Sequence, residues 1–222
     1  MMMSLFSVFD PSTIFMSLNW FSMIIWLVIF PGMYWVMSSR FFGFLNFLVK
    51  FLLEEFLSLI GLSSGYGIIS LIIGVFIFIM MNNVFGLVSY VFTSTAHFVV
   101  SISLALPLWI GLMLYGWINN MMHMFIHLVP MGTPGALLVF MVIVESISML
   151  IRPLTLSVRL GANMIAGHLL MVLLGGLSSG LEFMGLIVVF GQMMLLVLEI
   201  AVAFIQAYVF CTLFMLYYEE VN

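Results

Sequence analysis

The chain has 222 residues, of which 66% are hydrophobic and only 5% are charged, with 4 Lys and Arg against 8 Asp and Glu. An ordinary soluble domain carries about 25% charged residues, and no soluble fold could cover this chain with polar surface. The composition excludes a soluble enzyme, a nucleic-acid binder and a disordered protein, and it predicts an all-α, polytopic membrane protein. The single cysteine, Cys211, excludes a disulfide within the chain.

The N-terminal part of the chain predicts one membrane span and one surface helix. Residues 14–36 contain no charged side chain, and at about 1.5 Å per residue they can cross a hydrocarbon core about 30 Å thick. Residues 41–59 are apolar but carry Lys50, Glu54 and Glu55, which is typical of an amphipathic helix lying on the membrane surface. A loop rich in glycine and serine follows.

The rest of the chain predicts two ordinary spans and two long helices. The ordinary spans are residues 68–92 and 97–117, and the long segments are residues 136–174 and 181–218. A helix of such length measures about 57 Å, so we expect both to tilt strongly or bend, with Pro153 as one bend. The chain is therefore predicted to be a single membrane domain with about five spanning or strongly tilted helices, one surface helix and a long C-terminal helical hairpin.

The basic residues predict the orientation of the chain. Outside the long segments they are Arg40 and Lys50, which follow the first span. By the positive-inside rule that side is the cytoplasm or the mitochondrial matrix. Because five crossings put the two ends of the chain on opposite sides, Glu219 and Glu220 are expected on the same side as these two basic residues.

Charged and amide side chains recur on the two long segments with a spacing of seven residues. The first segment carries Glu145, Arg152 and Arg159, and the second carries Gln192, Glu199 and Gln206. Seven residues turn an α-helix by about 700°, so each set shares one stripe. Because a charge at the centre of a span costs about 2.5–3.5 kcal/mol on insertion scales, such residues are functional by default. The stripes predict a path for a charge or a face toward a polar partner; the alternative is hydrogen bonding between helices.

The residues around Arg159 resemble a known family. Residues 151–176, IRPLTLSVRLGANMIAGHLLMVLLGG, closely resemble subunit a of the proton-translocating ATP synthase, in its mitochondrially encoded form. Further matching stretches are LFSVFDPST at 5–13, ALPLWIGLMLYGWIN at 105–119, ESIS at 145–148 and LEIAVAFIQAYVF at 198–210. The resemblance covers essentially the whole chain, although Gly161 stands where the family usually has a larger residue.

The resemblance implies roles for individual residues. Arg159 matches the arginine that faces the rotating ring of c subunits, each of which carries a carboxylate that must lose its proton to pass the arginine. Glu145 matches the acidic residue of the matrix-side half-channel. His168 and Glu199 match the pair that lines the half-channel from the intermembrane space.

Two further residues complete the implied site. Gln206 matches the glutamine near the arginine. Asn163 matches the asparagine of the family signature Arg-Leu-x-Ala-Asn-x-x-Ala-Gly-His, which is residues 159–168 here. The chain is then a proton-conducting stator subunit and not itself an enzyme, with no cofactor or metal. The implied partners are the c-subunit ring, other membrane-sector and peripheral-stalk subunits and the lipid bilayer, with no nucleic acid. The implied location is the mitochondrial inner membrane.

Two other functions are open at this point: a redox subunit that binds haem between helices, and a solute transporter with a central site. Transporters often show inverted repeats, which this sequence lacks. His123 and His127 have helical spacing but no acidic or cysteine partner nearby, so they are interpreted as interfacial residues and not metal ligands. Glu182 is predicted to begin the last helix, and the role of Arg152 is left open.

The geometry of the two long helices allows two arrangements. His168 lies nine residues after Arg159, which puts it on the opposite helix face. If Arg159 lies level with Gln206, antiparallel pairing brings Glu199 close to His168. A simple hairpin centred on residues 175–180 would instead shift the pairing by about ten residues.

Overall fold

The computed structural model describes residues 5–13, 16–29, 40–60, 66–88, 90–129, 137–178 and 185–221. Within these ranges the chain forms seven α-helices and no strand. The helices are α1 Ser22–Ile29, α2 Arg40–Ile60, α3 Tyr66–Gly86, α4 Phe98–Asn119, α5 Met121–Leu128, α6 Leu138–Ser178 and α7 Gly185–Val221. The prediction of an all-α, polytopic membrane protein is confirmed.

Four helices in the described part of the chain are long and apolar enough to cross a membrane: α3, α4, α6 and α7. The predicted first span, residues 14–36, lies largely outside the described residues. Its described part forms a 3-10 helix, Leu18–Phe21, followed by α1. Helix α2, predicted to lie on the membrane surface, is not among the four, since charged residues interrupt its apolar sequence.

The main core lies where α2, α3 and α7 meet. Phe56 of α2, Ile72 and Ile79 of α3, and Cys211 and Met215 of α7 are fully or almost fully buried there. Half of the most apolar stretch of α3 is buried, so this helix forms the centre of the bundle. Because lipid tails are as apolar as these side chains, close packing and not the exclusion of water holds the helices together.

The connections differ from the expected ones at two points. Helix α3 ends at Gly86, before the predicted end of the span at Phe92. The backbone of Tyr90 is left-handed, with φ of 70°, and an α-helix cannot pass through such a residue. Helix α5 forms within residues 119–135, which are rich in His, Pro and Gly and are predicted from the sequence only to connect α4 to the first long segment. The non-helical backbone of Asn120 separates α5 from α4.

The two C-terminal helices are long and largely uncovered. Helix α6 has 41 residues and continues through Pro153 and past the predicted end at Leu174. Helix α7 has 37 residues, and Glu182, the predicted start of this helix, lies outside the described residues. Only 6% of the most apolar stretch of α6 and 11% of that of α7 are buried, against 50% for α3. Most of their surface is therefore available to lipid or to another protein.

Candidate functional site

Helices α6 and α7 pair in antiparallel orientation, and two contacts establish their register. The side-chain amide of Gln192 donates a hydrogen bond to the carbonyl of Met171, with the two atoms 3.5 Å apart. Gly167 lies against Glu199, because a Cβ built on the glycine would be 2.8 Å from the carboxylate oxygen Oε1. These contacts match the pairing that brings Glu199 close to His168. The alternative pairing, that of a simple hairpin centred on residues 175–180, is therefore wrong.

Arg159 lies at the middle of α6 on an exposed face. It lines a small cleft together with Gln206 of α7, whose side chain is buried. Neither amide atom of Gln206 has a hydrogen-bond partner among the described residues, and Arg159 makes no hydrogen bond or ion pair with them. A guanidinium remains charged at physiological pH, and charged side chains at the centre of a span almost always pair with another group or face a water-filled cavity.

His168 and Glu199 line one cavity of about 270 Å³ between α6 and α7. Asn163 also lines this cavity, and Leu87, just beyond the end of α3, borders it. Oε1 of Glu199 and Nε2 of His168 are buried and have no hydrogen-bond partner in the described part of the chain. The lining is mainly apolar apart from Asn163, His168 and Glu199. A cavity of this size has room for water, which can carry a proton between an imidazole and a carboxylate.

Gly167 provides the space that Glu199 occupies. A Cβ at this position would lie 2.8 Å from Oε1 and 3.0 Å from Cδ of Glu199, closer than side chains pack. Glycine inside a helix is less favourable than alanine by about 1 kcal/mol. The close approach of the carboxylate therefore gives this glycine, in the sequence Ala166-Gly167-His168, a physical role.

The N-terminal segment covers the other side of His168. The ring of Phe9, at the end of the 3-10 helix Leu5–Phe9, packs edge-on against the imidazole, with 6.4 Å between ring centroids and 87° between planes. The next residue, Asp10, is exposed and accepts a hydrogen bond from the backbone N–H of Ser12. This hydrogen bond lowers the pKa of the Asp10 carboxyl. An acidic residue thus directly follows, in the chain, the phenylalanine that packs on His168.

Glu145 lies on the other side of Arg159, about 21 Å away along α6. Its Oε1 is 3.9 Å from Nη2 of Arg152. Arg152 also forms an ion pair with Glu220, near the end of α7, and its guanidinium lies 5.0 Å from the ring centroid of Tyr217. Arg152, which the sequence left without a role, therefore contacts two carboxylates from two helices.

The six predicted residues do not form a single cluster. They lie at three places along the paired helices: Arg159 with Gln206, His168 with Glu199 and Asn163, and Glu145 beside Arg152. The first place lies between the other two, because His168 is about 13 Å along α6 from Arg159 in one direction and Glu145 is further away in the other. Two separate polar sites therefore lie on either side of Arg159, which has no ion pair among the described residues.

Two polar features of the structure had no counterpart among the predicted residues. The hydroxyl of Tyr208 on α7 donates a hydrogen bond of 2.8 Å to Glu55 on α2. Asn83 and Thr95 are fully buried near the connection of α3 to α4, with no hydrogen-bond partner among the described residues for the Asn83 amide or the Thr95 hydroxyl. Asn83 follows Asn82 in an otherwise apolar run. This pair of polar residues was the only sign in the sequence of a buried polar group there.

The other histidines lie apart from these places. His123 and His127 are exposed on successive turns of α5, with 5.0 Å between ring centroids, and His97 packs against Trp20 and Phe92. In the described ranges no group of three His, Cys, Asp or Glu side chains is arranged to hold a metal ion. The pair on α5 therefore has no third ligand within the described part of the chain.

Comparison with known proteins identifies the family. The family described as "ATP synthase A chain" matches residues 13–219. Proteins named "ATP synthase subunit a" are similar over the full length of both chains: the chain is 53% identical to that of Drosophila yakuba, 52% to that of Locusta migratoria and 52% to that of Anopheles gambiae. The chain belongs to the ATP synthase A chain family.

Family membership confirms the resemblance that was based on residues 151–176. As a subunit a of ATP synthase, the chain is a proton-translocating membrane subunit of a larger complex and not an enzyme in its own right. The two alternatives, a haem-binding subunit and a solute transporter, are set aside by the same finding. The four apolar helices agree with a multi-pass membrane protein.

Proposed function

We propose that this subunit a conducts protons through two offset half-channels to and from the carboxylates of a rotating c-subunit ring. In this proposal Arg159 couples proton flow to rotation and prevents leakage between the half-channels. The observation that supports it best is that a permanently charged arginine lies at the middle of a span-length helix, on an exposed face, with no ion pair in the described part of the chain. A carboxylate presented by another subunit would be the missing partner.

The half-channel from the intermembrane space is assigned to the cavity lined by His168, Glu199 and Asn163. Support comes from its size, about 270 Å³, and from the buried atoms of His168 and Glu199, which have no hydrogen-bond partner among the described residues. An imidazole and a carboxylate in one cavity with room for water can pass a proton by way of that water. Protons from this cavity would reach the ring beside the cleft that Arg159 shares with Gln206.

The half-channel to the matrix is assigned to the end of α6 that carries Glu145. This carboxylate is partly exposed and lies about 21 Å along α6 from Arg159, on the side away from His168. A proton that enters near His168 and leaves near Glu145 must therefore be carried past Arg159. The ring carboxylates would carry it by rotation.

The charge of Arg159 explains why protons would not pass directly. Moving one charge through the membrane potential is worth about 2.3 kcal/mol per 100 mV, and a direct leak would waste that energy. A fixed positive charge between the half-channels repels a proton. It also attracts each deprotonated ring carboxylate, by about 4 kcal/mol at 4 Å for an effective dielectric constant of about 20. Rotation is then the favourable route.

The partners and the location follow from the same proposal. The subunit would contact the c-subunit ring through the uncovered face around Arg159, and other membrane-sector and peripheral-stalk subunits elsewhere. Its relatives in insects and the four apolar helices support a multi-pass protein of the mitochondrial inner membrane. Residues 1–222 would form one membrane domain.

The decisive experiment replaces Arg159 in the assembled complex. Arg159→Ala should abolish ATP-driven proton pumping while assembly, measured on native gels, is largely retained, because the side chain is exposed and makes no hydrogen bond or ion pair with the described residues. Arg159→Lys should also lose coupled pumping, since an ammonium does not reproduce the planar guanidinium.

Arg40→Ala is the matched control, because it removes an exposed arginine from α2, outside the two long helices. This control should pump normally. Normal coupled pumping in Arg159→Ala would refute the proposed function.

A further inference from the structure

Arg152 is the centre of an ion-pair network that joins α6 to the last turn of α7. Its guanidinium pairs with Glu220 and lies 5.0 Å from the ring centroid of Tyr217, while the oxygen of Glu145 is 3.9 Å away. The contact with Glu220 is the closer of the two. One positive group is thus shared unequally between two carboxylates.

The position of Glu220 is set by its neighbours along α7. Tyr218 and Val221 are only 3% and 5% exposed, and they pack with Leu112 of α4 and Met124 of α5. Gly116 allows this approach, because a Cβ there would collide with Val221. Buried residues thus flank Glu220 in sequence and fix the last turn of α7 against α4 and α5. The carboxylate of Glu220 is thereby held beside Arg152.

We propose that Glu220 holds the guanidinium of Arg152 back from Glu145, and so keeps Glu145 free to bind and release protons. Arg152 and Glu220 are positioning residues in this view, and neither carries the proton. The inference rests on the proposed role of Glu145 in the matrix-side half-channel. The inference adds that Glu220 controls how closely Glu145 pairs with Arg152.

The physical reason is the competition of two carboxylates for one guanidinium. A carboxylate in a close, two-pronged contact with arginine is held in its negative form and does not readily accept a proton. At 3.9 Å, Glu145 is at the outer limit of an ion pair and lacks such a contact. Without the competing charge of Glu220, Arg152 is free to close on Glu145, which must be protonated in every passage whichever way protons flow.

The test is Glu220→Gln in the assembled complex, read as the rate of gradient-driven ATP synthesis in inner-membrane vesicles. We expect a rate roughly two- to five-fold lower, the size of effect that one partly exposed ion pair supports. In Arg152→Gln alone, and in the double variant Arg152→Gln with Glu220→Gln, no guanidinium is left to close on Glu145, so both should be faster than Glu220→Gln. A bracing role would leave the double variant as slow as Glu220→Gln, or slower, and would overturn the proposal.

The matched control is Glu219→Gln, which removes the neighbouring exposed carboxylate of α7 and should leave the rate unchanged. Each rate is divided by the amount of assembled complex measured on native gels. A variant that folds poorly is therefore not mistaken for one that transfers protons slowly. An unchanged rate in Glu220→Gln overturns the proposal.

Glu145→Gln separates this inference from the proposed function. If Glu145→Gln is slow while Glu220→Gln is not, only the role of Glu220 and Arg152 fails. If Glu145→Gln keeps the full rate, the matrix-side role of Glu145 fails, and this inference fails with it.

Discussion

The contact between Gly167 and Glu199 gives a sharp prediction for the substitution Gly167→Ala. The new Cβ would lie 2.8 Å from Oε1 and 3.0 Å from Cδ of Glu199, so the carboxylate must move by about 0.6 Å to reach ordinary van der Waals distance. Because these atoms are the flexible end of a side chain, the move costs little, and alanine favours the helix by about 1 kcal/mol. We therefore expect normal assembly.

The same displacement should slow proton transfer. A misplacement of about 1 Å can cost a reaction about 100-fold, so a shift of about 0.6 Å between Glu199 and His168 should cost roughly 3- to 30-fold. The assay is the initial rate of gradient-driven ATP synthesis in vesicles, per assembled complex. Gly191→Ala on α7 is the control, because a Cβ there meets no atom within 4 Å. If Gly167→Ala assembles and synthesises ATP at the rate of Gly191→Ala, the assignment of this cavity to the proton path is refuted.

Two further substitutions test other contacts. Glu199→Gln removes the carboxylate proposed to take up the proton and should slow passive proton conductance through the membrane sector at least ten-fold. Glu54→Gln, which replaces an exposed carboxylate of α2, should not. Equal conductance in both variants would remove Glu199 from the proposed path. Tyr208→Phe breaks the 2.8 Å hydrogen bond to Glu55 and should destabilise the packing of α2 on α7 by about 0.5–1.5 kcal/mol. The thermal midpoint of the purified complex should fall in Tyr208→Phe, and an unchanged midpoint would show that this bond contributes nothing.

Much of the fold was predictable because it depends on composition and period. The chain has few charges and apolar runs of about 20 residues or more, and such runs satisfy their backbone groups in lipid as helices, which is why the all-α class followed from the sequence. The seven-residue spacing on the two long helices likewise put Arg159 and Glu145 on one stripe of α6, and Gln206 on a stripe of α7.

Other features depend on contacts that no local pattern encodes. The register of α6 on α7 is set by packing such as that of Gly167 against Glu199, so the sequence left two arrangements open. The pairing of Arg152 with Glu220 joins residues far apart in the chain, and no spacing along the sequence indicates it. Helix α5 was missed because eight residues are too few to show a helical period.

The exposed surfaces of α6 and α7 should affect how long an unassembled subunit persists in the cell. A copy that has not met its partners exposes Arg159 at mid-span to lipid, at a cost of about 2.5–3.5 kcal/mol on insertion scales. Orphan copies should therefore be short-lived targets of membrane proteases. Supply of this subunit would then have to be matched to that of its partners, with surplus removed by turnover.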